Sequence, residues 1–433
     1  MTSPNGLVCF TNCLIPLEDG SLVEKDLWID ERRGVILNAQ QTFFARKERP
    51  ARIVDLGGNI ISPGFLDIQI NGAYGFDFSV YEGDDELYRK GLLHVSESIV
   101  ETGVTSLIPT IITQEKSLYP KLLDLLRPIS PENGANLLGW HAEGPFLQLA
   151  KKGAHASPFL RSAPERIATF EEVYGAANLA HKEDWLMNPT DDASTGVRII
   201  TAAPEIEGVM DTVKDLTERG IVFSIGHSIA TTDIATSAVR HGARLITHLF
   251  NAMPQLHHRD PSIIGLISAS PHLDPPSFTP ITTNVAPFYE LIVDGIHSHP
   301  NSVRLAYNTY PEGCILITDA MKILDPHLKD GVHEWRDGKR FVKQGVKLFL
   351  EGTDTLAGSV VTLDTCVRNF SRFTGCSLGE AIKCATYNPA RCLGIENKKG
   401  TLRPGADADL VVLDRKGNVL STWMKGKQVW AHT

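Results

Sequence analysis

Eight short apolar runs punctuate the middle of this 433-residue chain, at 60–70, 105–112, 137–142, 197–202, 222–225, 245–249, 290–293 and 314–318. Stretches of helical periodicity fall between several of them: 85–102 stops before Gly103, 115–127 before Pro128, and 209–219 before Gly220. Strands alternating with helices make parallel β/α units, because a parallel pair needs a crossover connection. Eight such units favour closure into a (β/α)8 TIM barrel over an open doubly wound sheet. No GxGxxG follows the first run to indicate a dinucleotide fold. The seventh strand is open between 290–293 and a position within 271–287.

The two chain ends have another texture. Residues 1–60 and 396–433 carry short runs of period near two separated by turns, the pattern of small β-strands. Each half alone buries little, so together they predict one small β-sandwich domain beside a catalytic barrel spanning 61–395. Segments 182–195 and 327–347 are polar and turn-rich, and are expected as surface loops or a hairpin.

A formal charge of -9 argues against nucleic acid or an anionic membrane as the main partner. Seven cysteines with no CxxC pair indicate reduced thiols. No basic-then-apolar leader opens the chain and no run is long enough to span a bilayer, so the expected location is the cytoplasm.

In a barrel of this kind chemistry sits at the C-terminal ends of the strands. The first run yields Asp67, Gln69 and Asn71, and the third yields His141 and Glu143. His227 follows the fifth, His248 the sixth, His297 the seventh and Asp319 the eighth. Unrelated strands that place ionisable groups at one depth make a site. Within LITHLFNAMP, His248 ends an apolar run, and Asn251 and Ala252 form the turn beyond it.

Glu143, His227 and His248 are the most economical ligand set, one carboxylate and two imidazoles with a position open to water. A divalent metal so held lowers the pKa of that water and polarises a carbonyl. Asp319 is then the base that takes the proton and returns it to a leaving amine. His141, two residues before Glu143, is a poorer ligand and a candidate partner to one. The bland alternative is that these groups cap strands or pair with one another.

The ordered motifs PGFLDIQING, HAEGPF, GHSIA, THLFNAMP, DGIH, TDAM and LAGS resemble those of the N-acetylglucosamine-6-phosphate deacetylases, in the amidohydrolase superfamily. The tail NPARCLG to ADADLVVLD resembles the closing segment of that superfamily. The resemblance runs from about residue 55 to 415 and implies hydrolysis of the acetamide of a small sugar phosphate in amino-sugar metabolism. Many amidohydrolases carry HxH after the first strand for a second metal. Gln69-Ile70-Asn71 stands there instead, which implies one divalent metal per chain, zinc first, with iron, cobalt or manganese compatible with the same ligands.

By position, the resemblance implies that Glu143, His227 and His248 bind the metal, that Asp319 is the acid/base, and that His155 stabilises the oxyanion. Ala154, His155, Asn251, Ala252, Leu356, Ala357 and Gly358 would meet the substrate. Arg259 and His297 would hold its phosphate, the guanidinium through paired donors. The family arrangement also implies a homodimer in which Arg259 reaches across the interface. A two-metal cyclic amidase is disfavoured by Gln69 and Asn71, and a non-catalytic scaffold by the presence of every expected ligand.

Overall fold

The computed structural model describes residues 3–179, 196–268, 286–334, 340–353 and 358–432. Eight parallel strands form its centre: β1 (Phe65–Ile70), β2 (Val104–Ile112), β3 (Trp140–Glu143), β4 (Val197–Ala202), β5 (Val222–Ile225), β6 (Leu245–Ile246), β7 (Phe288–Ile292) and β8 (Cys314–Ile317). Each pairs with the next in sequence order from β1 to β8. The seam between β8 and β1 is closed by single bonds. Asp319 N–H donates to the Gln69 carbonyl at 2.9 Å, and the Thr318 hydroxyl donates to Asp67 Oδ2 at 2.6 Å. Burial raises the Asp67 carboxyl to about 7 against those bonds, so Asp67 belongs to the seam.

The seventh strand lies at 288–292, overlapping the run expected at 290–293. The run at 60–70 divides. Ile60–Pro63 joins another sheet, and β1 begins at Phe65. Gly64 makes the junction, where a Cβ would lie 2.1 Å from the Thr105 side chain, so only glycine lets the chain cross at that point.

Helix α1 (Asp85–Ile99) shows why these sequences form barrel helices. Asp84 caps its first turn by accepting from the N–H groups of Glu86 and Leu87, and Tyr88, Leu92, Val95 and Ile99 bury one face. A tighter turn carries the helix to Thr102, and Gly103, at φ 80°, ends it.

The chain ends build two further sheets. One has the order Val35–Leu37, Leu27–Asp30, Leu7–Thr11, Arg52–Asp55. The other runs Lys427–Ala431, Val419–Met424, Leu410–Leu413, Ile60–Pro63, Leu14–Pro16, Leu22–Glu24. Leu410–Leu413 thus pairs antiparallel with Ile60–Pro63, which joins the end of the chain to its beginning. Val8, Phe10 and Ile29 from one sheet share an apolar cluster with Ile15, Ile61, Leu410 and Trp423 from the other.

Segment 327–347 contributes to a three-stranded antiparallel sheet, Gly331–Glu334, Arg340–Gln344 and Lys347–Leu350. Phe341 and Leu348 pack there on Met321 and Ile323. Segment 182–195 lies outside the described residues. Among the described residues, no helix is long and apolar enough to cross a membrane.

At the foot of the barrel, buried Lys399 sits between Asp407, at 2.8 Å, and Asp409. Asp409 also accepts from Asn136 Nδ2 at 2.9 Å and from Lys425 N–H at 2.8 Å, so one ammonium ties the tail strands to the barrel. Removing one member of a buried ion pair leaves an uncompensated charge. Lys399→Met is expected to destabilise the protein by about 3–5 kcal/mol in denaturant unfolding. A loss below about 1 kcal/mol, the size of a surface pair, would contradict this account of the tail.

Candidate metal centre

The C-terminal ends of β1, β5 and β6 converge on one carboxylate oxygen at the end of β3. Glu143, the last residue of β3, turns Oε1 to His227 Nε2 at 3.0 Å and His248 Nε2 at 3.2 Å, and these two nitrogens lie 3.0 Å apart. All three side chains are buried. The residues that carry this geometry sit in backbone conformations other residues avoid: φ is 50° at His227, 29° at His248 and 46° at Asp319. Each such position costs on the order of 1–3 kcal/mol and persists only where its surroundings impose it. Phe250 (79°) and Ala252 (51°) continue the pattern in the turn after His248.

Burial and hydrogen bonding decide how protons distribute here. Burial opposes charge on His248, but the hydrogen bond and the charge of Glu143 outweigh it and raise the imidazole to about 9. Burial alone would raise Glu143, yet its hydrogen bonds from His227 and His248 hold it well below the ordinary carboxyl value. The centre therefore attracts positive charge. Two imidazole nitrogens aimed at each other and at one carboxylate oxygen fit a divalent cation equally well, and that donor set suits zinc and its neighbours.

A third imidazole is close. One ligand atom each from Glu143, His155 and His227 lie within 4.8 Å of one another, which makes His155 a rival to His248 as third ligand. The hydrogen bonds at the far side of each ring decide between the two roles. His227 Nδ1 faces the Lys151 carbonyl at 2.7 Å and must donate to it, which leaves the Nε2 lone pair for a cation. His155 Nδ1 instead receives the Thr113 backbone N–H at 3.2 Å, with the Thr113 hydroxyl 2.9 Å away. Its proton is thereby placed on Nε2, 3.9 Å from Glu143 Oε2, which favours a donor over a ligand at that nitrogen. Gly153, at φ 54°, supplies the left-handed backbone of the turn that leads to His155.

Asp319 faces the same space. Asn71 Nδ2 donates to its Oδ1 at 2.7 Å, and Gln69 Nε2 divides between Asp319 Oδ1 at 3.4 Å and Glu143 Oε1 at 3.1 Å. Burial, then the charge of Glu143, raise the Asp319 carboxyl to about 6. At neutral pH it is mostly ionised yet basic enough to accept a proton.

His141 lies one layer deeper. Its Nε2 meets Thr201 Oγ1 at 2.7 Å, which continues to Thr247 Oγ1 at 2.7 Å, and burial lowers the ring to about 4. The remaining expected residues are on the surrounding loops. Ala154 is exposed, and Asn251 and Ala252 are half-buried in the turn beyond His248. His297 Nδ1 donates to Asp294 Oδ2 at 2.6 Å. Arg259 is exposed, with its backbone N–H donated to His257 Nδ1 at 3.3 Å. Gly358 has φ 86°, whereas Leu356 and Ala357 lie outside the described residues.

Three polar residues escaped the sequence reading. Thr113 directs His155. Glu205, after β4, holds the turn that follows His227. Glu290, inside β7, accepts from His248 N–H at 3.3 Å, and burial raises its carboxyl well above the usual value. The available signal for Glu290 was a carboxylate within an apolar run.

The family model for the amidohydrolase family matches residues 60–429. The N-acetylglucosamine-6-phosphate deacetylase of Danio rerio is 41% identical, over 97% of this chain and 96% of that protein. The enzyme of the same name from Homo sapiens is 39% identical, over 97% and 95%. Among solved structures, the N-acetylglucosamine-6-phosphate deacetylase of Pasteurella multocida superposes with a TM-score of 0.76 at 26% identity, covering 98% of this chain and 100% of that one. A mutant from Mycobacterium smegmatis, in complex with N-acetyl-D-glucosamine-6-phosphate, gives 0.73 at 26% identity over 99% and 100%.

The opposed hydrogen bonds predict opposed tautomers. In zinc-loaded protein, imidazole nitrogen shifts in NMR spectra are expected to place the proton of His227 on Nδ1 and that of His155 on Nε2. A proton on His155 Nδ1 would restore His155 as a ligand.

Proposed function

The chain belongs to the amidohydrolase family, among the N-acetylglucosamine-6-phosphate deacetylases, and we propose that it hydrolyses the acetamide of N-acetyl-D-glucosamine 6-phosphate to D-glucosamine 6-phosphate and acetate. The observation that carries this reading is the convergence of His227 Nε2 and His248 Nε2 on Glu143 Oε1, with Asp319 and His155 beside them. Glu143, His227 and His248 would hold one divalent cation, which when bound would activate water and polarise a carbonyl.

The chain's own groups supply the rest. Asp319, oriented by Asn71 and Gln69, accepts the proton of the attacking water and passes it to the departing amine. His155 Nε2–H donates to the acetyl oxygen as negative charge develops on it. With Nδ1 bound to Asp294, His297 directs Nε2 to the phosphate together with Arg259. We assign Ala154, Asn251, Ala252 and Gly358 to the sugar.

Amide side chains at Gln69 and Asn71 support a single cation, with zinc as our assignment. We read the protein as a cytoplasmic homodimer with Arg259 donated across the interface, divided into a sandwich of 1–60 and 396–433 and a barrel of 61–395. The seven cysteines, all free thiols, support a reducing compartment.

Acetate release is the test. N-acetylglucosamine 6-phosphate is expected to be hydrolysed far faster than unphosphorylated N-acetylglucosamine. Arg259→Ala is expected to raise KM for the phosphorylated sugar and erase most of that preference, by about 2–4 kcal/mol for loss of a charge-assisted contact. Equal rates on the two sugars would refute the sugar-phosphate reading and leave amide hydrolysis standing.

A further inference from the structure

The turn Gly226-His227-Ser228-Ile229-Ala230 is held on three sides. Its His227 carbonyl accepts from Gln148 N–H at 2.9 Å, and Ser228 N–H donates to the Ala252 carbonyl at 3.3 Å. The third side is a side chain. Glu205, three residues beyond β4, accepts the Ile229 N–H on Oε1 at 2.7 Å and the Ser228 hydroxyl on Oε2 at 2.6 Å. The same hydroxyl accepts Ala230 N–H at 2.9 Å. One carboxylate therefore fixes the two residues directly after His227, through both of its oxygens.

The His227 backbone needs such a hold. At φ 50° a histidine lies in the left-handed region, which residues with a Cβ disfavour. Hydrogen bonds to a charged acceptor are stronger than neutral ones, and the two made by Glu205 act against that preference. Without Glu205, Ile229 N–H is free to turn to water, because Ile229 is 44% exposed. His227 would then relax toward ordinary φ and carry Nε2 away from Glu143.

We propose that Glu205 is a positioning residue that sets the affinity of the metal centre by holding His227 in its left-handed conformation. The inference rests on the reading of Glu143, His227 and His248 as ligands. Glu205 itself is not a ligand, since both of its oxygens are engaged by the turn.

The experiment compares metal-free wild type, Glu205→Ala, Glu205→Gln and His227→Ala. Zinc affinity is read by chelator competition, the visible spectrum is recorded with cobalt(II), and the metal-free melting temperature is measured. Glu205→Ala is expected to bind zinc roughly 10–100-fold more weakly and to alter the cobalt spectrum, with metal-free melting near that of wild type. Glu205→Gln keeps an acceptor for Ile229 N–H and is expected to recover most of the affinity. Wild-type affinity in Glu205→Ala, together with weak binding by His227→Ala, overturns the positioning role alone. Wild-type affinity in His227→Ala overturns the ligand assignment and this inference with it. A lower melting temperature with unchanged zinc affinity marks Glu205 as structural only, and also overturns the proposal.

Discussion

Two imidazole nitrogens 3.0 Å apart, both directed at one buried carboxylate oxygen, are the arrangement to which the other parts of this structure answer. Lone pairs so placed repel unless something positive lies between them. The barrel provides the frame in which that tension is sustained, with strand ends from β3, β5, β6 and β8 arriving at one depth. Closure of the seam through Asp67, Thr318 and the Asp319 backbone places the base beside the centre as a consequence of closing the barrel. Backbone strain at His227, His248 and Asp319 is concentrated where a divalent cation would compensate it.

Around that point, backbone groups assign chemistry to side chains of the same type. A carbonyl behind His227 and an N–H behind His155 favour opposite tautomers in neighbouring imidazoles, which suits one to be a ligand and the other a donor. Asn71 and Gln69 do similar work on Asp319, because amides at these positions orient a carboxylate without competing for a cation. The result is an asymmetric centre. One side favours positive charge, and the other presents a carboxylate and an imidazole N–H to the same space.

Much of this was legible in the residues. Apolar runs of four to eleven residues separated by helical periods carry the barrel because burial on both faces leaves strands uniformly apolar, and the observed strands lie within or overlap them. Glu143, His227, His248 and Asp319 were visible because each is an ionisable group at the C-terminal end of such a run. Legibility failed where the signal is backbone. Pro63-Gly64 divides one apolar run between two sheets, a matter of packing against Thr105 rather than composition. The Lys151 carbonyl behind His227 leaves no mark in sequence, and Thr113 and Glu205 look like ordinary strand-end and turn residues. The sheet built from 331–350 was expected only as a loop or hairpin, because Phe341 and Leu348 find their partners in Met321 and Ile323, next to Asp319.

The central claim is that one cation per chain, held by Glu143, His227 and His248, supports amide hydrolysis. Its most direct test is stoichiometric. Metal-stripped protein is titrated with zinc while acetate release from N-acetylglucosamine 6-phosphate is followed. The account predicts a linear rise that breaks to a plateau at one equivalent per chain. A rise that continues to two equivalents, or full turnover with no added metal, would contradict it.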